Sequence, residues 1–295
     1  MSPTLITPQT EEGKLALAIG VASLFLKRED LHPYGSHKGR SIPVMIDLKC
    51  AKGGRDFAIS SSGNAALAAI RHIQKKNAEG ADLSLSVIVG ENINPEKKAM
   101  LEAEMTDEHT ELVSSKRPLQ MLLEKIQGEQ RLSLRQSTDH DALIGYNALG
   151  EELALIPNLS AVFMGASSGT CAQALTHFFK TRKMPVAVHI VQTTQCFPIA
   201  GAFYDKHEGS QSSIADAIVD KIAYRKDTLV PALRNSGGSG WIASNKEILA
   251  AQNLALEHAE MSITPNGALG IAGLVKAVSH GITFDGPVVC IVTGR

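Results

Sequence analysis

Short runs of valine, isoleucine and other apolar residues recur along this 295-residue chain, and most are followed by a loop and an amphipathic stretch. Six such runs are RDFAIS, LSLSVIVG, HTELVS, LSAVFMG, PVAVHIVQT and DGPVVCIVTG. Continuously apolar strands that alternate with helices are typical of parallel sheets that helices cover on both faces. The chain is therefore predicted to adopt an α/β fold, and its length favours two domains or one large one.

The composition points to a small molecule as the partner. A net charge of −1 and an aromatic content of 4% disfavour binding to nucleic acid or to anionic lipid. No apolar run approaches the ~20 residues that a membrane helix needs. The four cysteines form no CxxC pair, so no metal site is predicted. The N-terminus does not resemble a secretory signal, and the expected location is the cytoplasm.

Two of the strand-to-helix junctions are rich in small and hydroxyl residues. They are SSSGN at residues 60–64 and GASSGT at residues 165–170. Helix N-termini carry unpaired N–H groups and a partial positive charge, so both junctions are candidate anion sites. The alternative is that the serines and threonines only cap the helices. Neither junction matches GxxxxGK[ST] or GxGxxG, which argues against a nucleotide-binding protein.

A third feature is Lys38, in the stretch KREDLHPYGSHKGRS at residues 27–41. For most lysines the better interpretation is a solvated surface charge. A Schiff base between a lysine and pyridoxal phosphate (PLP), however, uses a lysine amine, a phosphate site and a second anion site for a substrate carboxylate. The chain offers all three.

The stretch KREDLHPYGSHKGR resembles the lysine motif KxExxxPxGSxKxR of fold-type II PLP enzymes, the tryptophan-synthase-β-like superfamily. That superfamily includes threonine synthase, cysteine synthase and serine/threonine dehydratases. SSSGNAALAA, MGASSGTCAQAL and SITPNGALGIAGLVKA are similar to later landmarks of the family in the same order, so the resemblance runs from Thr7 to Arg295. The matching motif positions are Lys27, Glu29, Pro33, Gly35, Ser36, Lys38 and Arg40.

The resemblance implies roles for individual residues. Lys38 would form the Schiff base with PLP and would later remove the substrate Cα proton. A hydroxyl at Thr293, against the pyridine nitrogen, suits elimination and replacement better than transamination. The substrate would be bound by Ser61, Ser62, Gly63 and Asn64, of which the first three would receive its carboxylate. The cofactor would be bound by His37, Lys38, Asn64, Gly165, Ala166, Ser167, Ser168, Gly169, Thr170 and Thr293, with residues 165–170 around its phosphate.

The resemblance also implies the domain organisation. It predicts two open, twisted, mostly parallel-sheet subdomains with PLP in the cleft between them. Residues 1–40 and 148–295 would form the larger PLP-binding subdomain, and residues 41–147 a smaller mobile one. Because relatives are usually dimers, a homodimer is expected.

The predicted function is that of a PLP-dependent lyase or replacement enzyme, which eliminates a β or γ leaving group from an amino-acid substrate. Threonine-synthase-like chemistry on a phosphorylated homoserine is slightly favoured. Cysteine-synthase-like and serine/threonine ammonia-lyase activities are the alternatives, because specificity lies in pocket side chains that no motif identifies. A catalytically silent PLP-binding relative is a further alternative, against which the presence of Lys38, Asn64 and Thr293 argues.

Overall fold

The computed structural model describes residues 6–294, and the chain divides into two compact units. The first unit contains the residues up to His32 and those from Tyr146 onward, and the second contains Pro33–Gly145. The division predicted from the sequence has its boundaries after residues 40 and 147; the mobility of the smaller domain stays a prediction. The predicted larger domain also includes residues 1–5 and Arg295, which lie outside the described residues.

Strands and helices alternate along most of residues 6–294. The strands are β1 (Gln9–Glu11), β2 (Leu24–Arg28), β3 (Asp56–Ser60), β4 (Ser84–Gly90), β5 (Thr110–Ser115), β6 (Leu132–Ser133), β7 (Ala161–Gly165), β8 (Ala187–Thr193), β9 (Gly240–Ala243) and β10 (Val288–Val292). The α-helices are α1 (Gly13–Ile19), α2 (Lys38–Ala51), α3 (Asn64–Ala78), α4 (Pro95–Glu104), α5 (Pro118–Gly128), α6 (Asp141–Ile144), α7 (Asn147–Leu153), α8 (Thr170–Thr181), α9 (Lys226–Asn235), α10 (Asn245–Ala259) and α11 (Pro265–Ser279).

The first unit is built on a six-stranded sheet in the order β1-β2-β10-β7-β8-β9. β1 is antiparallel to β2, and the other pairs are parallel. β7 and β10 are buried along their whole length, as expected for central strands of a sheet covered on both faces. Helices α1, α10 and α11 pack together and α11 contacts β7 and β10, while α7, α8 and α9 form a second helical group that contacts β8.

The second unit contains a four-stranded parallel sheet in the order β5-β4-β3-β6. Its core includes Phe57, Ile59 and Val87 of the sheet, together with apolar side chains of α2 and α3. These two helices pack against each other. The start of α2, which carries Lys38, and the start of α3 therefore belong to one packed pair of helices.

These two sheets confirm the predicted α/β fold class. The six strands predicted from the sequence are present as β3, β4, β5, β7, β8 and β10. The sequence analysis missed four strands: β1, β2, β6 and β9.

Within residues 6–294, no helix combines the length and the apolar character that crossing a bilayer requires.

A buried ion pair links three segments of the first unit. Lys27 of β2 is fully buried, and its Nζ donates to Glu152 Oε2 of α7 at 2.5 Å and to the Thr7 carbonyl at 2.9 Å. The Thr7 hydroxyl donates in turn to the buried carboxylate of Glu29 at 2.6 Å. Two of the matched motif residues, Lys27 and Glu29, therefore act in this chain as buried charges that connect the N-terminal segment, β2 and α7.

His189 of β8 is a buried histidine in the first unit. Its ring stacks on Phe163 with the ring centroids 4.2 Å apart. Its Nδ1 accepts hydrogen bonds from the Ser239 N–H at 3.1 Å and the Trp241 indole N–H at 3.3 Å, so the neutral imidazole is the form that these donors favour. Burial lowers the pKa of His189 from 6.5 to about 4.

The lowered pKa of His189 predicts a loss of stability in mild acid. As the pH falls from 6.5 to about 4 the unfolded chain binds a proton that the folded chain does not, so the free energy of unfolding decreases and then levels off. Between pH 7 and pH 5 this loss is about 2 kcal/mol. In His189→Asn, whose side-chain oxygen can still accept the Ser239 N–H, urea unfolding should show a pH dependence smaller by that amount. An unchanged pH dependence would contradict the assignment.

Candidate active site

Lys38 is the first residue of α2 and is half-buried. Its Nζ donates to the side-chain oxygen of Gln136 at 2.7 Å, and its backbone N–H lies 3.2 Å from Ser36 Oγ. His37, directly before it, is the N-cap residue and makes no side-chain capping hydrogen bond. The lysine amine is therefore held at a helix start by a buried amide 98 residues away in the chain, a contact that no local pattern of residues indicates.

A chain of three side chains fixes the loop that leads into Lys38. The Tyr34 hydroxyl lies 2.9 Å from His72 Nδ1, and His72 Nε2 lies 3.0 Å from a carboxylate oxygen of Asp47. His72 is buried in α3, and Asp47 belongs to α2. Because Tyr34 is four positions before Lys38, this chain ties the lysine loop to both helices. The sequence analysis missed it.

The predicted carboxylate loop, Ser61–Asn64, joins the end of β3 to the start of α3. Its residues are half-buried. The Ser61 N–H donates to the Ile88 carbonyl at 3.2 Å, and the Gly63 N–H lies 3.3 Å from Ser61 Oγ. The N-cap residue of α3 is Gly63, which has no side chain that could cap the helix. Ser61 contacts this helix start through the Gly63 N–H, so the serine hydroxyls serve the local structure as well, and their binding of a carboxylate stays a prediction.

Gly63 is not required by its conformation or by packing within the chain. Its φ is −139°, which any residue can adopt, and a Cβ at this position would have no heavy atom within 4 Å. A small residue here leaves open space beside the start of α3. Such space is what the close approach of a bound anion needs.

The predicted phosphate loop, 165–170, joins β7 to α8. The Ala166 N–H donates to the Val191 carbonyl at 3.0 Å, so this N–H belongs to the sheet. The buried amide of Gln192 donates to the carbonyls of Ala166 and Ser167 at 3.1 and 3.3 Å. Gln192 Oε1 accepts the N–H groups of Ile199 and Ala200. Gln192, which was not predicted from the sequence, therefore fixes the positions of the Ala166 and Ser167 carbonyls.

The hydroxyl groups of the phosphate loop have different partners. Ser167 Oγ donates to Asp220 at 2.8 Å and accepts the N–H groups of Val219 and Asp220 at 3.1 Å each. Ser168 Oγ and Thr170 Oγ1 are 2.8 Å apart and buried at the start of α8. Ser167 thus holds the neighbouring segment, and Ser168 and Thr170 form the hydroxyl pair nearest the helix start.

Gly169 is the N-cap residue of α8 and has a left-handed φ of 77°. A Cβ there would overlap the Leu229 side chain and would lie 3.0 Å from Ile199 Cδ1. Gly169 has no side chain that could cap the helix, and the Thr170 N–H lies 3.5 Å from the buried Ser168 Oγ. The positive end of the α8 dipole therefore lies directly after the loop, where it favours an anion.

The same substitution should have effects of different size at the two loop glycines. Gly169→Ala combines an unfavourable φ with a clash and should lower the free energy of unfolding by about 1–3 kcal/mol. Gly63→Ala meets neither problem and should change stability by less than about 0.5 kcal/mol. Urea unfolding of both variants beside the wild type checks this difference. Equal effects at the two positions would contradict it.

Thr293 follows the last residue of β10 and is buried. Its hydroxyl lies 3.4 Å from the Asn266 carbonyl. β10 pairs in parallel with β7, so Thr293 and the 165–170 loop follow the carboxyl ends of neighbouring strands. The structure therefore brings these two predicted parts together at one edge of the sheet, where ligands of parallel sheets bind.

These groups match the chemical needs of the cofactor expected from the sequence. Lys38 supplies an amine, the starts of α3 and α8 supply the positive ends of two helix dipoles, and Thr293 supplies a hydroxyl. Among residues 6–294, no cluster of three or more histidine, cysteine or acidic side chains is arranged to hold a metal ion. That these residues bind cofactor and substrate stays a prediction.

Comparison with known proteins adds independent findings. A family model described as "Pyridoxal-phosphate dependent enzyme" matches residues 4–294. A threonine synthase from Methanosarcina acetivorans is 27% identical over 310 aligned positions, which cover 98% of this chain and 74% of the relative. The family match thus extends over nearly the whole chain.

Solved structures give the same fold. The processed form of threonine deaminase isoform 2 from Solanum lycopersicum has a TM-score of 0.80 and 18% identity, covering 98% of this chain and 79% of that one. The O-acetylserine-dependent cystathionine β-synthase from Helicobacter pylori has a TM-score of 0.79 and 15% identity, covering 99% and 93%. At these identities the likeness shows the fold alone.

Proposed function

Because this chain belongs to the pyridoxal-phosphate-dependent enzymes and PLP is its cofactor, we propose that it is a threonine-synthase-like carbon–oxygen lyase. The proposed reaction converts a phosphorylated homoserine and water into threonine and inorganic phosphate. The observation that carries the proposal is the match to a threonine synthase over 98% of this chain.

Lys38 would carry the proton chemistry. Bound PLP withdraws electrons from the substrate Cα, which makes the Cα proton removable. Lys38 would bind the cofactor covalently through Nζ and, once the substrate has displaced it, would accept the Cα proton at the same atom. The Gln136 oxygen, 2.7 Å from Nζ, would hold the amine in one orientation until the proton is transferred to Nζ.

The two helix starts would bind the two anions. Ser61, Ser62 and Gly63, at the start of α3, would receive the substrate carboxylate, and Asn64 would contact the phenolic oxygen of the cofactor. The 165–170 loop would bind the cofactor phosphate, and His37 would also bind the cofactor. Thr293 would place its hydroxyl against the pyridine nitrogen. The support for this assignment is that each loop leads, through a glycine at the N-cap, into the positive end of a helix dipole.

Product analysis separates this proposal from its alternatives. The purified protein with PLP would be given O-phosphohomoserine, threonine, serine, or O-acetylserine with sulfide. We expect phosphate and threonine from O-phosphohomoserine, and at least tenfold less ammonia or acetate from the others at about equal concentrations. Ammonia release from threonine or serine as the main activity would instead identify an ammonia-lyase, and acetate release a cysteine-synthase-like enzyme. PLP binding without turnover of any of them would identify a silent relative.

We further propose that the enzyme is a cytoplasmic homodimer. The support is the resemblance to a family whose members are usually dimers. Sedimentation of the purified protein at several concentrations tests the assembly, and a monomer at every concentration would reject it.

A further inference from the structure

Arg225 is a buried arginine directly before α9, and 5% of its surface is exposed. Its Nε donates to Thr170 Oγ1 at 3.1 Å, and its Nη1 donates to the side-chain oxygen of Gln173 at 2.9 Å. Residues 170 and 173 are one turn apart on the same face of α8. Both bonds hold the guanidinium against the first turn of the helix that follows the 165–170 loop.

The bond to Thr170 sets the direction of a hydroxyl group. A guanidinium can only donate hydrogen bonds, so Thr170 Oγ1 is the acceptor and its own proton points away from Arg225. Ser168 Oγ, the other buried hydroxyl of the loop, lies 2.8 Å from Thr170 Oγ1. Arg225 thus restricts the orientation of the hydroxyl pair at the start of α8.

Arg225 also adds a full positive charge to a helix end that already favours anions. The helix dipole gives the start of α8 a partial positive charge. A buried charge interacts more strongly than an exposed one, because little water screens it. A phosphate group would gain from both charges, whereas a neutral hydroxyl in its place would gain little.

We propose that Arg225 is a positioning residue that makes the 165–170 loop selective for the phosphorylated form of the cofactor. It acts through the Thr170 hydroxyl and through its own charge. This inference rests on the proposed function, which assigns the loop to the phosphate of PLP.

The test compares the binding of PLP and of pyridoxal, which carries the same aldehyde but no phosphate. Both ligands are titrated into the cofactor-free full chain, and binding is followed by the change in visible absorbance. Arg225→Met should bind PLP about tenfold or more weakly, as expected for a lost charged hydrogen bond, with pyridoxal affinity within about threefold of wild type. Arg225→Lys keeps the charge without the two-pronged contact and should fall between them. Arg234→Met removes the same charge from an exposed residue of α9 and should match wild type.

The ratio of the two affinities distinguishes the possible outcomes. Equal losses for PLP and pyridoxal, or no loss for either ligand, would overturn the inference, because a residue that only supports the helix changes both affinities alike. If Arg225→Met does not fold, the same ratio in Arg225→Lys decides, and an unchanged ratio there overturns the inference. A wild-type protein that binds neither ligand would overturn the proposed function instead.

Discussion

Replacing Lys38 with alanine is expected to abolish covalent attachment of PLP and to lower turnover by at least about 100-fold. The variant loses both the amine that condenses with the aldehyde and the group that takes the Cα proton. Reduction with borohydride converts the lysine–cofactor linkage into a stable amine. Mass spectrometry should then find PLP on the peptide that contains residue 38 in the wild type, and no labelled peptide in Lys38→Ala.

Two control variants separate this chemistry from the charge of the residue. Lys38→Arg keeps a cation that can donate to Gln136, but a guanidinium does not form the linkage, so it should behave like alanine. Lys49→Ala removes another α2 lysine, which pairs with Asp139 at 2.7 Å, and should keep the label on residue 38. A label on another lysine, or a label retained in either Lys38 variant, would reject the assignment.

Replacing Lys27 with methionine is expected to lower the free energy of unfolding by about 3–5 kcal/mol. The change leaves the Glu152 carboxylate, which is 2% exposed, buried without the ammonium that lies 2.5 Å from it. It also removes the donor to the Thr7 carbonyl. Urea unfolding of the cofactor-free protein measures the loss without a contribution from ligand binding.

A double variant shows how much of that loss comes from leaving the Glu152 carboxylate buried without the Lys27 ammonium. Lys27→Met with Glu152→Leu removes both charges, and it should recover most of the stability that the single variant loses, because a buried ion pair costs desolvation energy to form. Lys98→Met breaks an exposed pair, in which Nζ lies 3.6 Å from Glu102, and should cost less than about 0.5 kcal/mol. A double variant no more stable than the single one would show that the carboxylate is not the cause.

The strands that could be predicted from the sequence are those whose apolar character is unbroken. β7 and β10 are buried throughout, so their composition alone marks them as strands. β1 and β6 have three and two residues, too few for a recognisable pattern. β2 was missed because two charged residues, Lys27 and Arg28, end it. Lys27 is accommodated in the interior by distant partners, among them Glu152, 125 residues away.

The site divides in the same way between local and distant information. Lys38 and the two serine-rich loops are contiguous stretches at helix starts, so their chemistry could be inferred from neighbouring residues. Three supporting residues act over long distances in the chain. Gln136 contacts Lys38, 98 residues away; Gln192 contacts the 165–170 loop, 25 and 26 residues away; and Arg225 contacts Thr170, 55 residues away. Nothing around these three residues in the sequence marks them. A polar residue that supports a distant loop can be identified only once the fold is known.

The position of β10 has a consequence for synthesis on the ribosome. This strand lies between β2 and β7 in the sheet, yet it follows both by more than a hundred residues in the chain. The first unit cannot complete its sheet until Val288–Val292 have emerged, whereas Pro33–Gly145 form a continuous segment that is translated much earlier. A nascent chain should therefore first show protease resistance in the segment around Lys38. Until β10 is synthesised, the edges of β2 and β7 with which it later pairs lack this strand.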